Sequence, residues 1–187
     1  MIRSALQFFT ALCVLALVTA CASTLEATTD FDQQFDFSKV RKLSIQPVDR
    51  ASLSAILISD MQISRIDEAL ANELERKGFQ IVSNNSEADV FLTWHLVTEE
   101  RTDVRTYNSM SYYNCWGCGP SVSDISVRQY TQGTFIVDLI DPARNQSVWR
   151  SIIESRLQSS PPDPASAEAG ARRAEAATAI FAEFPPG

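Results

Sequence analysis

Apolar residues recur along this chain with two different periods, and the change of period marks the elements. Val90, Leu92, Trp94 and Leu96 alternate with Phe91, Thr93 and His95, which predicts a strand over residues 88–99 that continues in polar form to Val104. Phe135, Val137 and Leu139 repeat the pattern in a strand over residues 125–140, and residues 148–157 return antiparallel after the turn Asp141-Pro142-Ala143-Arg144-Asn145. Ile63, Ile66, Leu70 and Leu74 fall instead at helical spacing. They predict a helix over residues 60–77, capped by Ser59 or Asp60 and closed by Gly78, with Glu73 and Lys77 as an i,i+4 pair on its wet face. Shorter strands are predicted at residues 42–46, where Leu43 and Ile45 alternate and Pro47 ends the run, and at residues 79–82. The run Phe35-Asp36-Phe37-Ser38-Lys39 reads as a turn between the first two strands. After the Pro-rich linker 159–164, an Ala-rich helix runs over residues 165–184 and gathers Ile180, Phe181 and Phe184 at its end, where Pro185-Pro186 stops it. The order is two strands, helix, short strand, three-strand meander, helix. It predicts an α+β fold: a mainly antiparallel β-sheet with two helices packed on one face.

The N-terminal segment follows a different logic. Arg3 precedes an apolar stretch, residues 5–18, broken by Gln7 and Thr10. The stretch is shorter than the roughly 20 residues a bilayer-spanning helix needs and has the layout of an export signal. It ends Leu17-Val18-Thr19-Ala20-Cys21, which resembles the lipobox of bacterial lipoproteins. That resemblance implies cleavage before Cys21 and acylation of Cys21 by more than one chain, since a single chain anchors only marginally. Ala22, rather than Asp, follows the cysteine, which by analogy favours the outer membrane. The expected organisation is therefore a signal peptide over residues 1–20, a lipidated N-terminus and tether over 21–29, and one domain over 30–187.

Charge narrows the partners. Sixteen Lys and Arg stand against 23 Asp and Glu, a net charge of −7. This disfavours nucleic acid, which needs clustered cations. With residues 1–20 removed, the remaining chain is long enough for one domain with a sizeable core.

The candidate chemistry is sparse. Cys13 leaves with the leader and Cys21 takes the lipid, so Cys115 and Cys118 remain as a pair. A thioredoxin-like dithiol sits at a helix N-terminus, whereas Gly119-Pro120-Ser121 and a predicted strand follow here. The motif therefore reads as a disulfide that staples the long connection 106–124, worth about 2 kcal/mol for so short a closure; thiol–disulfide exchange is the alternative. His95 is the single histidine, and no pair of further ligands accompanies it and the cysteines, so neither metal nor cofactor is expected. Asp138 and Asp141 read as a strand end and a turn former rather than as a glycosidase pair. The same long connection carries Tyr107, Tyr112, Tyr113 and Trp116. These rings either fold back over the sheet edge or serve as anchors for a partner.

Five segments together resemble the bacterial lipoprotein family catalogued as domain of unknown function 4136. They are Asp30 to Phe37 with the following Lys42-Leu43; Ile66 to Gly78 with Phe79; Ala88-Asp89-Val90; Gly133 to Asp141 with Val148-Trp149-Arg150; and Phe184-Pro185-Pro186. The Gly133 to Trp149 block is the most specific, and Cys115-Trp116-Gly117-Cys118 is not part of the pattern. The resemblance implies a periplasm-facing lipoprotein and no known activity. The resulting expectation is a lipid-anchored, non-enzymatic binding or scaffold module in the outer membrane, facing the periplasm, whose partner is an envelope protein, a glycan or a lipid.

Overall fold

In the computed structural model, residues 25–50, 53, 58–107 and 124–186 are described. Among the described residues, six strands and two α-helices follow one another: β1 (Ala27–Phe31), β2 (Lys42–Ile45), α1 (Asp60–Arg76), β3 (Gln80–Ile81), β4 (Val90–Tyr107), β5 (Asp124–Asp141), β6 (Gln146–Arg156) and α2 (Ala167–Ile180). The strands form one six-stranded sheet in the order β1-β6-β5-β4-β2-β3. β1, β6, β5 and β4 pair antiparallel, while β2 is parallel to both β4 and β3. The fold is thus α+β on a mostly antiparallel, mixed sheet.

Alternation along the strands decides which face is covered. Val90, Leu92 and Trp94 of β4, Val137 and Leu139 of β5, and Trp149 and Ile153 of β6 are all buried. Against them lie Leu70 and Leu74 of α1 and Ala177 and Ile180 of α2, so both helices cover one face. Ser59 caps α1 through a reciprocal pair with Gln62: the Gln62 N–H donates to the Ser59 hydroxyl, and the Ser59 N–H donates to the Gln62 side chain. Gly78 closes it at φ 92°.

Three local expectations are corrected. Glu73 does not face water beside Lys77. It is buried with 6% side-chain exposure, takes a two-pronged donation from Arg76 at 2.8 and 2.5 Å, and accepts from Thr178 of α2 at 3.2 Å. Helix α2 lies across this part of α1, so the charged position became an interhelical one. Lys77 instead donates to the Phe184 carbonyl at 2.9 Å. Helix α2 ends at Ile180, not near Phe184; the turn that follows folds Phe181 and Phe184 into the core against Trp149. Finally, strand β1 starts within the expected tether: Ala27, Thr28 and Thr29 pair with Ile153, Ile152 and Ser151. An edge strand with one neighbour needs no apolar period to form its ladder.

β4 and β5 reach further than any other strands. The last β5–β6 pair is Gln132 with Arg156, yet β4 and β5 stay paired from Glu99–Gln132 out to Tyr107–Asp124. At roughly 3.3 Å per residue the ribbon projects about 25 Å past the body of the sheet.

Candidate functional site

The buried polar side chains Ser44, Glu73, Gln132 and Asp138 all have hydrogen-bond partners within the body. On the uncovered face of the sheet, Asp138 is 5% exposed and accepts a fork from Arg150 at 2.8 and 3.0 Å, together with the Ser147 hydroxyl at 2.7 Å. The Asp138 carboxylate and, secondarily, that of Asp30 hold the Arg150 pKa above its usual value. Asp141 accepts from Arg144 at 2.7 Å and from the Ala143 N–H at 2.9 Å, and the Arg144 contact is the main reason that its pKa is lowered. Both acids therefore have structural partners: Asp138 within β5 and Asp141 at its turn. His95 lies on this uncovered face, half-buried, in register with Ile136. Among the described residues no three His, Cys, Asp or Glu converge as a metal site, and no helix is long and apolar enough to cross a membrane.

Sequence reasoning passed over Asp67. It lies on the buried side of α1, between Ile63 and Leu70, and accepts the Trp94 indole N–H at 2.7 Å. Burial pushes its carboxyl above the ordinary range, and the indole contact offsets this only in part. The signal was a carboxylate one position from Ile66 in the apolar stripe.

Two surfaces stand out at one end of the sheet. The first is the ribbon. Val104 of β4 and Val127 of β5 face each other directly, and each is 58% exposed. Apart from β5, β4 pairs among the described residues only with β2, at Val90, Phe91 and Leu92, so its outer edge is open along the ribbon. The ribbon's apolar pair is flanked by short charge pairs, Arg101 with Glu99 and Arg105 with Asp103. The second surface is a cleft of about 730 Å³ where the two helices part from the sheet at the ribbon's base. Leu96 and Phe135, paired across β4 and β5, line it with Ile66 and Ala69 of α1 and Ala176 of α2. Arg156, Arg172 and Arg173 line it too, against Glu175 alone. The Arg156 guanidinium lies 3.6 Å from the centre of the Tyr130 ring, which ties the cleft to the ribbon. No sequence motif marks this cleft, because its walls come from three distant segments.

Of the predicted site residues, Cys21, Tyr112, Tyr113, Cys115, Trp116 and Cys118 lie outside the described residues. Tyr107 is the last residue of β4, paired with Asp124 at the ribbon's far end. The connection that carries the Tyr, Trp and Cys residues thus starts and ends at the tip of the ribbon.

Solved structures resemble this chain to different degrees. A PDZ domain protein from Parabacteroides distasonis superposes with a TM-score of 0.54 at 11% identity, over 87% of this chain and 36% of that one. The chain thus spans about a third of that protein's length, and the likeness is one of fold. A DUF4136 family protein from Bacteroides thetaiotaomicron gives 0.46 at 15% identity, over 86% and 94% of the two chains. The PelC dodecamer protein from Paraburkholderia phytofirmans gives 0.45 at 9%, over 83% and 94%. No curated protein matches the sequence. A family model matches residues 27–186, all of the sheet and both helices, and the chain belongs to the family described as Domain of unknown function (DUF4136).

Proposed function

We propose that this protein is a lipid-anchored envelope lipoprotein of the bacterial outer membrane, facing the periplasm, that serves as a binding or scaffold module without catalytic activity. The observation that carries the reading is the ribbon. A two-stranded projection with an exposed Val104–Val127 pair and open edges contributes little to the core of its own domain. It has the form of a contact surface. At its tip it carries the segment with Tyr112, Tyr113 and Trp116, residue types that supply large contact area at low entropy cost. The anchor is assigned to Cys21 on the lipobox resemblance. Asp138 and Glu73 are committed to Arg150 and Arg76, and Asp67 to the Trp94 indole, and this supports a role in binding rather than in chemistry.

The test is crosslinking in intact cells. The Tyr112→Ala/Tyr113→Ala/Trp116→Ala chain, and separately the Val104→Ser/Val127→Ser chain, should fold with unchanged thermal transitions and lose the captured partner. Capture that survives both changes rejects the ribbon as the binding surface. A Cys21→Ser chain should leave the membrane fraction; if it stays there, the anchor is elsewhere.

A further inference from the structure

The chain enters the domain at the same end from which the ribbon leaves it. Ala27 is in register with Ile153, and Ile153 with Phe135, near the ribbon's base; Phe31 lies at the other end of β1, opposite Trp149. Leu25, two residues before β1 begins, is itself part of the cleft wall. Four peptide steps separate Leu25 from Cys21 and span at most about 14 Å. An anchor at Cys21 would therefore hold the cleft close to the bilayer surface.

The lining states what the cleft suits. Its floor is aliphatic and aromatic, from Leu96, Phe135, Ile66 and Ala69. Its volume of about 730 Å³ falls within the range of small-molecule sites. Three arginines stand against Glu175 in the lining and Glu168 beside it, which leaves the rim cationic by one charge on a chain whose net charge is −7. Arg172 is held by Glu168 at 2.8 Å and Arg173 by the Pro164 carbonyl at 3.1 Å, each through one terminal nitrogen. The remaining guanidinium donors are available to an anionic oxygen at the rim.

We propose that this cleft binds one acyl chain of an anionic lipid drawn from the bilayer, the chain lying along Leu96 and Phe135 and the negative head group meeting Arg156, Arg172 and Arg173. The bilayer as source rests on the anchor at Cys21; the chemistry of the cleft does not.

The experiment uses the full chain reconstituted in phosphatidylcholine vesicles that contain phosphatidylglycerol with a diazirine at the end of one acyl chain. After irradiation, adducts are expected on peptides carrying Leu96, Phe135, Ala69 or Ala176. Replacing the probe by phosphatidylcholine with the same diazirine chain should lower the yield roughly tenfold, as loss of a charge-assisted contact would. The Arg172→Gln/Arg173→Gln chain should lose that preference. Ala69→Trp should block labelling by filling the cleft, and the exposed double arginine change carries the test should the tryptophan disturb folding. With the wild-type chain labelled from vesicles, a Cys21→Ser chain labelled only by a free diazirine fatty acid supports both the cleft and the anchor, whereas a Cys21→Ser chain labelled from vesicles as well as the wild type supports the cleft and rejects the anchor as what brings it to lipid. Equal yields from both head groups, or labelling that survives Ala69→Trp in a folded chain, overturn the proposal. So does a cleft that stays unlabelled in both formats. A wild-type cleft that stays dark while the Cys21→Ser chain is labelled regardless of head group would mean that the protein's own acylated segment fills it, and also overturns the proposal. The Tyr112→Ala/Tyr113→Ala/Trp116→Ala chain should label normally, which separates this cleft from the ribbon's partner.

Discussion

Asp67 offers the sharpest test of the packing argument. Its carboxylate is the acceptor, at 2.7 Å, for the indole N–H of Trp94, a residue 1% exposed. Asp67→Ala removes that acceptor and leaves a buried donor unsatisfied, which costs about 1–3 kcal/mol. Asp67→Asn keeps a carbonyl oxygen in place and removes a charge that burial disfavours, so its effect should stay within about 0.5 kcal/mol of wild type. The two variants should also differ from wild type in pH dependence. Burial raises the folded carboxyl's pKa above the ordinary carboxylate value. The stability this group contributes is fully present below the unfolded pKa and is lost as pH rises through the raised folded value. Both variants remove that slope. Urea unfolding followed by tryptophan fluorescence, repeated from pH 4 to pH 8 with the m-value checked for constancy, measures each quantity. If Asn is as damaging as Ala at neutral pH, the hydrogen bond to Trp94 is not what makes Asp67 matter. If the wild type shows no excess slope over Asp67→Asn, burial of the carboxyl has been misjudged.

Other perturbations probe separate elements. Glu73→Gln weakens the fork with Arg76 and the link to Thr178 of α2; because Arg76 is itself 63% exposed, the expected loss at pH 7 is only about 1 kcal/mol. Its carboxyl pKa is lowered, chiefly by Arg76, so that loss should disappear as pH falls below the ordinary carboxylate range, as acid-side urea titration would register. Gly78→Ala meets no atom within 4 Å, yet must hold φ 92°, so calorimetry should show about 1 kcal/mol of destabilisation that is purely backbone in origin. Phe184→Ala removes a ring packed against Phe37, Phe79, Trp149 and Phe181, and should cost about 3–5 kcal/mol in chemical denaturation. Gly133→Val places a side chain where Leu157 stands 2.9 Å from the ideal Cβ position, so Leu157 must shift and urea unfolding should show a loss of about 1 kcal/mol.

The elements with a strong apolar period were legible in the sequence: Ile63, Ile66, Leu70 and Leu74 pack on the core as their spacing required, and Val90, Leu92, Trp94 and Leu96 face the helices. What escaped was set by neighbours. Glu73 looked solvent-exposed because charge alone cannot reveal that a second helix crosses there. Ala27 to Thr29 looked like a tether because an edge strand takes its order from β6 rather than from side-chain burial. The strand was read in polar form to Val104, and the polar residues beyond it carried too weak an alternation to show that the ribbon runs to Tyr107. Of the candidate site, the aromatic residues Tyr112, Tyr113 and Trp116 lie outside the described residues, and the cleft could not be read from the sequence, since Ile66, Leu96, Phe135 and Ala176 come together only through tertiary packing.

Strand β1 bears on the length of chain between Cys21 and the folded body. It is five residues long, has a single partner strand, buries none of its side chains fully, and ends on Phe31 at 39% exposure. Such a strand opens locally at a small fraction of the free energy needed to unfold the domain. Peeling it off β6 would add roughly 17 Å of extended chain between Cys21 and the folded body. With the anchor proposed at Cys21, the domain would have two working heights above the membrane, one with β1 zipped in and one with it released. Amide hydrogen exchange at Thr28 and Thr29, compared with that at Leu92, measures how often it visits the second.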